Sequence, residues 1–280
     1  SFVSGLFNSY KNYKRKEDWS DEDGIFVSRP LNDFEELDPE GSTIELLRSP
    51  LMARLIMTSF HRAKLPSNLK SEEVMRLYLE NIIQEKTNDS PGFPERIRFL
   101  KLLVAELDKA NSERIDRDNL AKTDYFRPHL FNSQKDSPYV QLLDLGVLLE
   151  EWENDHCYMR FAFDKLLEYL LAEHHWPKTA GSDDLKLLCM RLPDFKILQG
   201  AVEQLLYRFC LNDQYTVLTE IIDLSDHEEI IQPYIIHLSE SLLINIAIEN
   251  HELFDKIIPT FIDSPGETDL IILKNLSEIL

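Results

Sequence analysis

Cysteines, histidines and an excess of carboxylates are the residues here that could do chemistry, and their spacing argues against the common catalytic arrangements. Phosphate transfer on a P-loop needs G-x-x-x-x-G-K-[ST], whose backbone amides cradle the phosphates, and the sequence has no such run. It has no H-E-x-x-H either. His174 and His175 are adjacent, so a helix would aim them about 100° apart rather than at one metal; they read as polar residues at a helix end. The acidic stretch before Gly24 is similar to a calcium loop, but the frame ending in Asp23 and Gly24 puts Trp19 and Pro30 where oxygen ligands are required. Cys157, Cys189 and Cys210 lack C-x-x-C spacing and sit in or beside apolar patterns, as inert buried thiols do. The expectation is a chain with no catalytic residue, metal or cofactor of its own.

Composition points the same way. Of 280 residues, 43% are hydrophobic, enough for a sizeable core, and the formal net charge of −20 is the wrong sign for nucleic-acid phosphates or anionic lipid. No run approaches the roughly 18 apolar residues of a membrane span. Free cysteines without a disulfide framework suit a reducing cytoplasm. The chain starts at Ser1 and stops at Leu280 inside an apolar helical pattern, and so reads as a piece of a longer protein.

The elements that must position any site are mostly helical. A basic cluster at Lys11, Lys14, Arg15 and Lys16 runs into acidic residues up to Asp23, which reads as a solvated helix end and loop. Ile44, Leu47, Leu51 and Leu55 share one helix face, which Pro50 interrupts, so two helices should meet at Ser49 and Pro50. Ser71 is the expected N-cap of the next helix, with Val74, Leu77 and Tyr78 on its buried stripe. Ser90, Pro91 and Gly92 mark a boundary, after which Ile97, Leu100, Leu103, Val104 and Leu107 line another helix face. A short helix near Arg117 and a polar stretch lead to an apolar helix stopped by Gly146. Residues 147–149, a polar turn over 153–156 and residues 158–163 form a candidate hairpin, and Asp164 should cap the helix after it. From residue 184 the pattern is helical throughout, with starts expected near Asp213, His227, Asn250 and Ser264, the last with Pro265 at its first turn and Glu267 set for a capping box.

These readings give a mainly α fold in three parts: a helical domain over 1–94, a winged-helix domain with a small β-hairpin over 95–175, and the start of solenoid-like α-helical repeats over 184–280. A small helical subdomain with an incidental hairpin is the alternative for the middle part. A winged helix raises the question of DNA, but Asp116, Asp118, Glu150 and Glu151 in the candidate recognition segments favour a protein partner.

Two stretches together resemble STAND signalling ATPases, in particular bacterial NACHT-type members that act in defence. E-L-L-R-S-P-L-M-A-R-L-I, from Glu45 to Ile56, is similar to the L-x-x-P-L-x-x-x-L segment of the helical domain that follows the ATPase core in that family. L-D-L-G-V-L from Leu143 to Leu148, followed by R-F-A-F-D-K-L-L-E-Y-L-L-A from Arg160 to Ala172, is similar to the end of its winged helix, with a D-x-x-x-E-Y-L-x-A helix. The resemblance implies the regulatory part of a nucleotide switch. An upstream NTPase core in the same chain would bind ATP or ADP with Mg, a protein ligand would engage the helical repeats, and the whole protein would oligomerise with its nucleotide state. It also implies that Pro50 packs by the adenine, the plainer reading being a helix-starting proline. The family's winged-helix histidine touches the bound diphosphate; the matching position here is Phe163, which has no hydrogen to donate and reads instead as an anchor of the hairpin on the core. The competing functional reading is a non-enzymatic helical-repeat scaffold that binds a protein partner and never meets a nucleotide.

Overall fold

The computed structural model describes residues 43, 46–47, 49–60, 65–66, 69–84, 92–131, 137–262 and 266–279. The charge clusters before Gly24, the breaker at Ser90 and Pro91, and the expected cap at Ser264 and Pro265 lie outside them. Among the described residues the chain is mainly helical with one small antiparallel sheet, and it divides into two compact units, Ser1–Glu85 and Lys86–Leu280.

The first unit contains α1 (Pro50–Ser59) and α2 (Ser71–Gln84), which pack on each other. Thr43, Leu46 and Leu47 are helical, Ser49 is extended, and helix resumes at Pro50. The reason is the one expected: proline supplies no amide where a first-turn amide would be unpaired, and Ser49 Oγ accepts from Met52 N at 3.5 Å. Thr43 ties the linker to this helix pair, its hydroxyl donating to Pro66 O at 2.7 Å and accepting from Leu69 N at 2.9 Å. Ser71 is the first residue of α2 rather than its cap.

The second unit opens with α3 (Gly92–Ala110), β1 (Arg114–Asp116), α4 (Arg117–Leu120), α5 (Phe126–Leu130), α6 (Pro138–Asp144), β2 (Leu148–Glu153), β3 (His156–Phe161) and α7 (Asp164–His175). Phe99 of α3 anchors the helical side, edge-on to Phe126 at 5.0 Å and stacked on Tyr139 at 6.1 Å. The sheet order is β1-β3-β2, all antiparallel, with Arg114 opposite Arg160 and Leu148 opposite Phe161. The hairpin closes on two residues, Asn154 and Asp155, with φ of 49° and 66°, the conformation that asparagine and aspartate tolerate best after glycine. Glu153 and His156, expected in the turn, are instead the last cross-strand pair. β1 was not expected from the sequence, because three residues with one apolar side chain carry no periodicity. α7 begins at Asp164, one residue earlier than a capping role for that residue would require, and extended Phe163 takes the N-cap position.

After a 3-10 turn (Trp176–Lys178) come α8 (Ser182–Cys189), α9 (Leu198–Leu211), α10 (Thr216–Ser225), α11 (Gln232–Glu249), α12 (His251–Ile262) and α13 (Glu267–Ile279). α9 is covered by α7 on one side and α11 on the other, which is why its apolar residues recur on two faces. α10 lies against α8 and α11, and α12 and α13 both pack on α11. Asn250 caps α12 through Leu253 N at 3.2 Å. α13 starts later than expected, and Asp269 reaches back to Gly266 N at 2.8 Å, the return half of a capping box.

Gly146 ends α6 as its sequence position suggested. Its φ is +66°, its N–H donates to Leu143 O at 2.9 Å, and Val147 N donates to Leu142 O at 3.0 Å, the paired bonds of a Schellman stop. Leu142 and Val147 are both fully buried beneath it. A methyl group here would meet no atom within 4 Å. Gly146→Ala should therefore cost only the left-handed backbone penalty, about 1–2 kcal/mol in urea unfolding, and leave the fold intact; an unchanged midpoint would contradict this.

Candidate functional site

The two residues singled out by resemblance stand in different units. Pro50 heads α1, and Phe163 heads α7, where its carbonyl accepts from Leu166 N at 3.0 Å. Phe163 is half-buried, two residues beyond the end of β3. Its side chain offers no donor for a phosphate.

Three clusters gather polar groups in the second unit. The first is the root of the hairpin. Glu150 accepts from the Tyr139 hydroxyl of α6 and from Arg117 Nη1 of α4 at 3.2 Å, so one carboxylate joins two helices to β2. Burial raises the Tyr139 phenol, and the hydrogen bond and charge of Glu150 raise it further, so it stays protonated as the donor. At the tip, Asp116 caps α4 through Asn119 N at 2.9 Å and holds His156 Nδ1 at 2.9 Å.

The second is a cleft of about 450 Å³ between the outer face of the sheet and the segment before α9. Arg114 and Arg160 sit directly opposite each other there, a repulsive placement that the strands tolerate because Glu151 and Glu153 lie beside them. Arg114 Nη2 is 2.7 Å from Glu153, and Arg160 Nε is 3.3 Å from Glu151. With Lys196 facing Glu113 and Asp194 around the rim, cations and carboxylates balance, and the cleft favours neither sign of ligand.

The third is a joint between the body formed by α3 to α7 and the helices that follow. Asp108, near the end of α3, receives His175 Nε2 at 3.0 Å and Arg191 Nη2 at 2.9 Å, and its backbone carbonyl takes a second bond from the same Arg191 nitrogen at 2.7 Å. His174 is turned to the other carboxylate oxygen at 4.0 Å. The nearer partner of His174 is Lys178 Nζ at 2.7 Å; among the described residues no group of three potential ligands could hold a metal ion. Beside this joint α7 and α9 approach closely. The Glu168 carboxylate, paired with Lys165 at 2.7 Å, fills the place a side chain on Gly200 would take.

The cysteines are buried and unbridged, and burial pushes the Cys189 and Cys210 thiols up to about 12, far from reactive thiolates. No helix among the described residues is long and apolar enough to cross a membrane.

Sequence reasoning did not find Asp108, Arg191 or Glu150 as joint residues. Asp108 lies 67 positions from His175 and 83 from Arg191, beyond the reach of any local pattern. Burial pushes the Asp108 carboxyl up, but the His175 hydrogen bond and charge, with those of Arg191, outweigh it and hold it down to about 2. A depressed carboxyl stabilises the fold fully above its unfolded value, near 3.8, and loses that contribution as pH falls through about 2. Asp108→Asn should therefore lower stability by on the order of 2 kcal/mol at neutral pH, with the gap from the parent closing between about pH 4 and 2. Urea unfolding across that range checks it, and a gap independent of pH would refute the ion-pair account.

No family model, curated protein or solved structure matches this chain.

Proposed function

We propose that this chain is the regulatory portion of a STAND signalling ATPase of the NACHT type. In this reading α1 and α2 belong to the helical domain behind an ATPase core, α3 to α7 form a winged helix, and α8 to α13 begin a solenoid of degenerate helix pairs that senses a protein ligand. The observation that carries it is the element order from α3 to β3: helix, strand, helices, then a hairpin, with β1 pairing to β3 in the order β1-β3-β2. That order supports the winged-helix reading, and the E-Y-L motif of the resemblance falls on α7 directly after it. The L-x-x-P-L segment supports the same reading, since its proline starts α1.

The chain's own part in such a switch is mechanical. Residues 86–280 form one compact unit, so a ligand on the helical array acts on the winged helix through the Asp108 joint and the α7–α9 contact. A ligand shifts the two-state balance only by its difference in affinity for the two states. Phe163 is unsuited to hold a diphosphate, so nucleotide binding is assigned to the upstream core and no nucleotide chemistry to these residues.

The test is to express the whole natural reading frame that contains these residues and follow its assembly with ATP and with ADP. A G-x-x-x-x-G-K-[ST] loop upstream of Ser1, bound adenine nucleotide and nucleotide-dependent oligomerisation are the expected result. A protein that carries no nucleotide and keeps one assembly state would overturn the proposal and leave the helical scaffold as the better account.

A further inference from the structure

The hairpin tip carries a feature that neither the joint nor the proposed switch uses. Trp152 is the next-to-last residue of β2 and 67% exposed, an unusual placement for the largest side chain of a sheet. It is held from below, since its cross-strand partner Cys157 is buried, and the Arg117 guanidinium lies 5.8 Å from its ring centre. One face of the ring therefore already takes a cation while most of its surface faces water.

The nearest cations are already paired. Arg117 is committed to Glu150 at 3.2 Å, and His156 to Asp116 at 2.9 Å. Asp118 and Asp155 are exposed carboxylates on α4 and on the turn. Glu150 stands on the same face of β2 as Trp152, and Asp118 follows Arg117, whose guanidinium lies by the ring. Arg114 and Arg160 cannot offset them there, because the strand register sets those residues on the opposite face with Glu151 and Glu153. An exposed indole with unpaired carboxylates on the neighbouring helix and turn repels phosphate and attracts a cationic side chain.

We propose that the tip of the β2–β3 hairpin is a docking point for a basic segment of a partner protein, with a lysine or arginine side chain laid over the open face of Trp152 and flanked by Asp118 and Asp155. The hairpin root fixes that presentation. Glu150, bonded to both Tyr139 and Arg117, holds β2 against α4 and α6, so the indole is offered on a rigid base with little ordering cost on binding. This surface is independent of whether an ATPase core precedes the chain.

The experiment uses the 280-residue chain with two labelled probes, a hexa-arginine peptide and a short DNA duplex, by fluorescence anisotropy at about 50 mM salt, where charge contacts are least screened. Trp152→Ala should weaken the peptide at least fivefold, and Trp152→Phe should recover most of that loss because a ring face is restored. Asp118→Asn with Asp155→Asn should weaken it by a similar factor. Glu228→Gln with Glu229→Gln, a half-exposed and an exposed charge before α11, should leave it within twofold. Equal loss from the Glu228 and Glu229 pair, unchanged binding in Trp152→Ala, or no peptide binding at all would overturn the proposal, since the attraction would then be diffuse or absent. DNA binding that depends on Trp152 would overturn it in favour of a nucleic-acid partner.

Discussion

The arrangement of the second unit depends on one carboxylate. Asp108 sits at the end of α3, where its helix has finished its own hydrogen bonds, and it draws in the end of α7 through His175 and the segment after α8 through Arg191. An aspartate this enclosed is costly unless its charge is matched, and here a guanidinium and an imidazole both meet Oδ1. The same guanidinium also satisfies the Asp108 carbonyl and the Asn111 side chain, so the helix end, the left-handed Asn111 and the start of the helical array are set together. Apolar packing of α7 on α9 supplies area but little direction, and the charged joint supplies the angle.

A second carboxylate does the equivalent work for the hairpin. Glu150 lies on the side of β2 that faces the helices, where an apolar residue would ordinarily stand, and it is accepted because Tyr139 and Arg117 both donate to it. This explains how a strand reading L-L-E-E-W-E can belong to a sheet. Its alternate residues Leu148, Glu150 and Trp152 descend from buried to exposed as the hairpin leaves the core. The hairpin is therefore firm at its root and open at its tip, the geometry of a presenting element.

The two readings of function use different parts of this frame. The switch reading needs the order of elements and a stiff connection from the helical array to the body, and the docking reading needs only the tip. An acidic surface with an exposed aromatic suits a protein partner in both. The balanced cleft at Arg114 and Arg160 adds no selectivity to either.

The sequence by itself determined the helical class, the proline break at Pro50, the stop at Gly146, the hairpin and the double-faced burial of α9. Each of these is written within about two turns of chain: a missing amide, a left-handed φ, an alternation or a recurrence every three or four residues. Helix starts were legible only to within a few residues, as at Asp164 and Glu267, because the capping atom can come from either side of the boundary. Tertiary structure alone decided β1, whose three residues become a strand only because β3 supplies their hydrogen bonds. It also decided the roles of Asp108, Glu150 and Trp152, since what makes these residues matter is a partner dozens of positions away or an exposure that only the folded chain sets. Local pattern records what a segment can form, while a charged joint and a presented surface exist only once distant segments have been brought together.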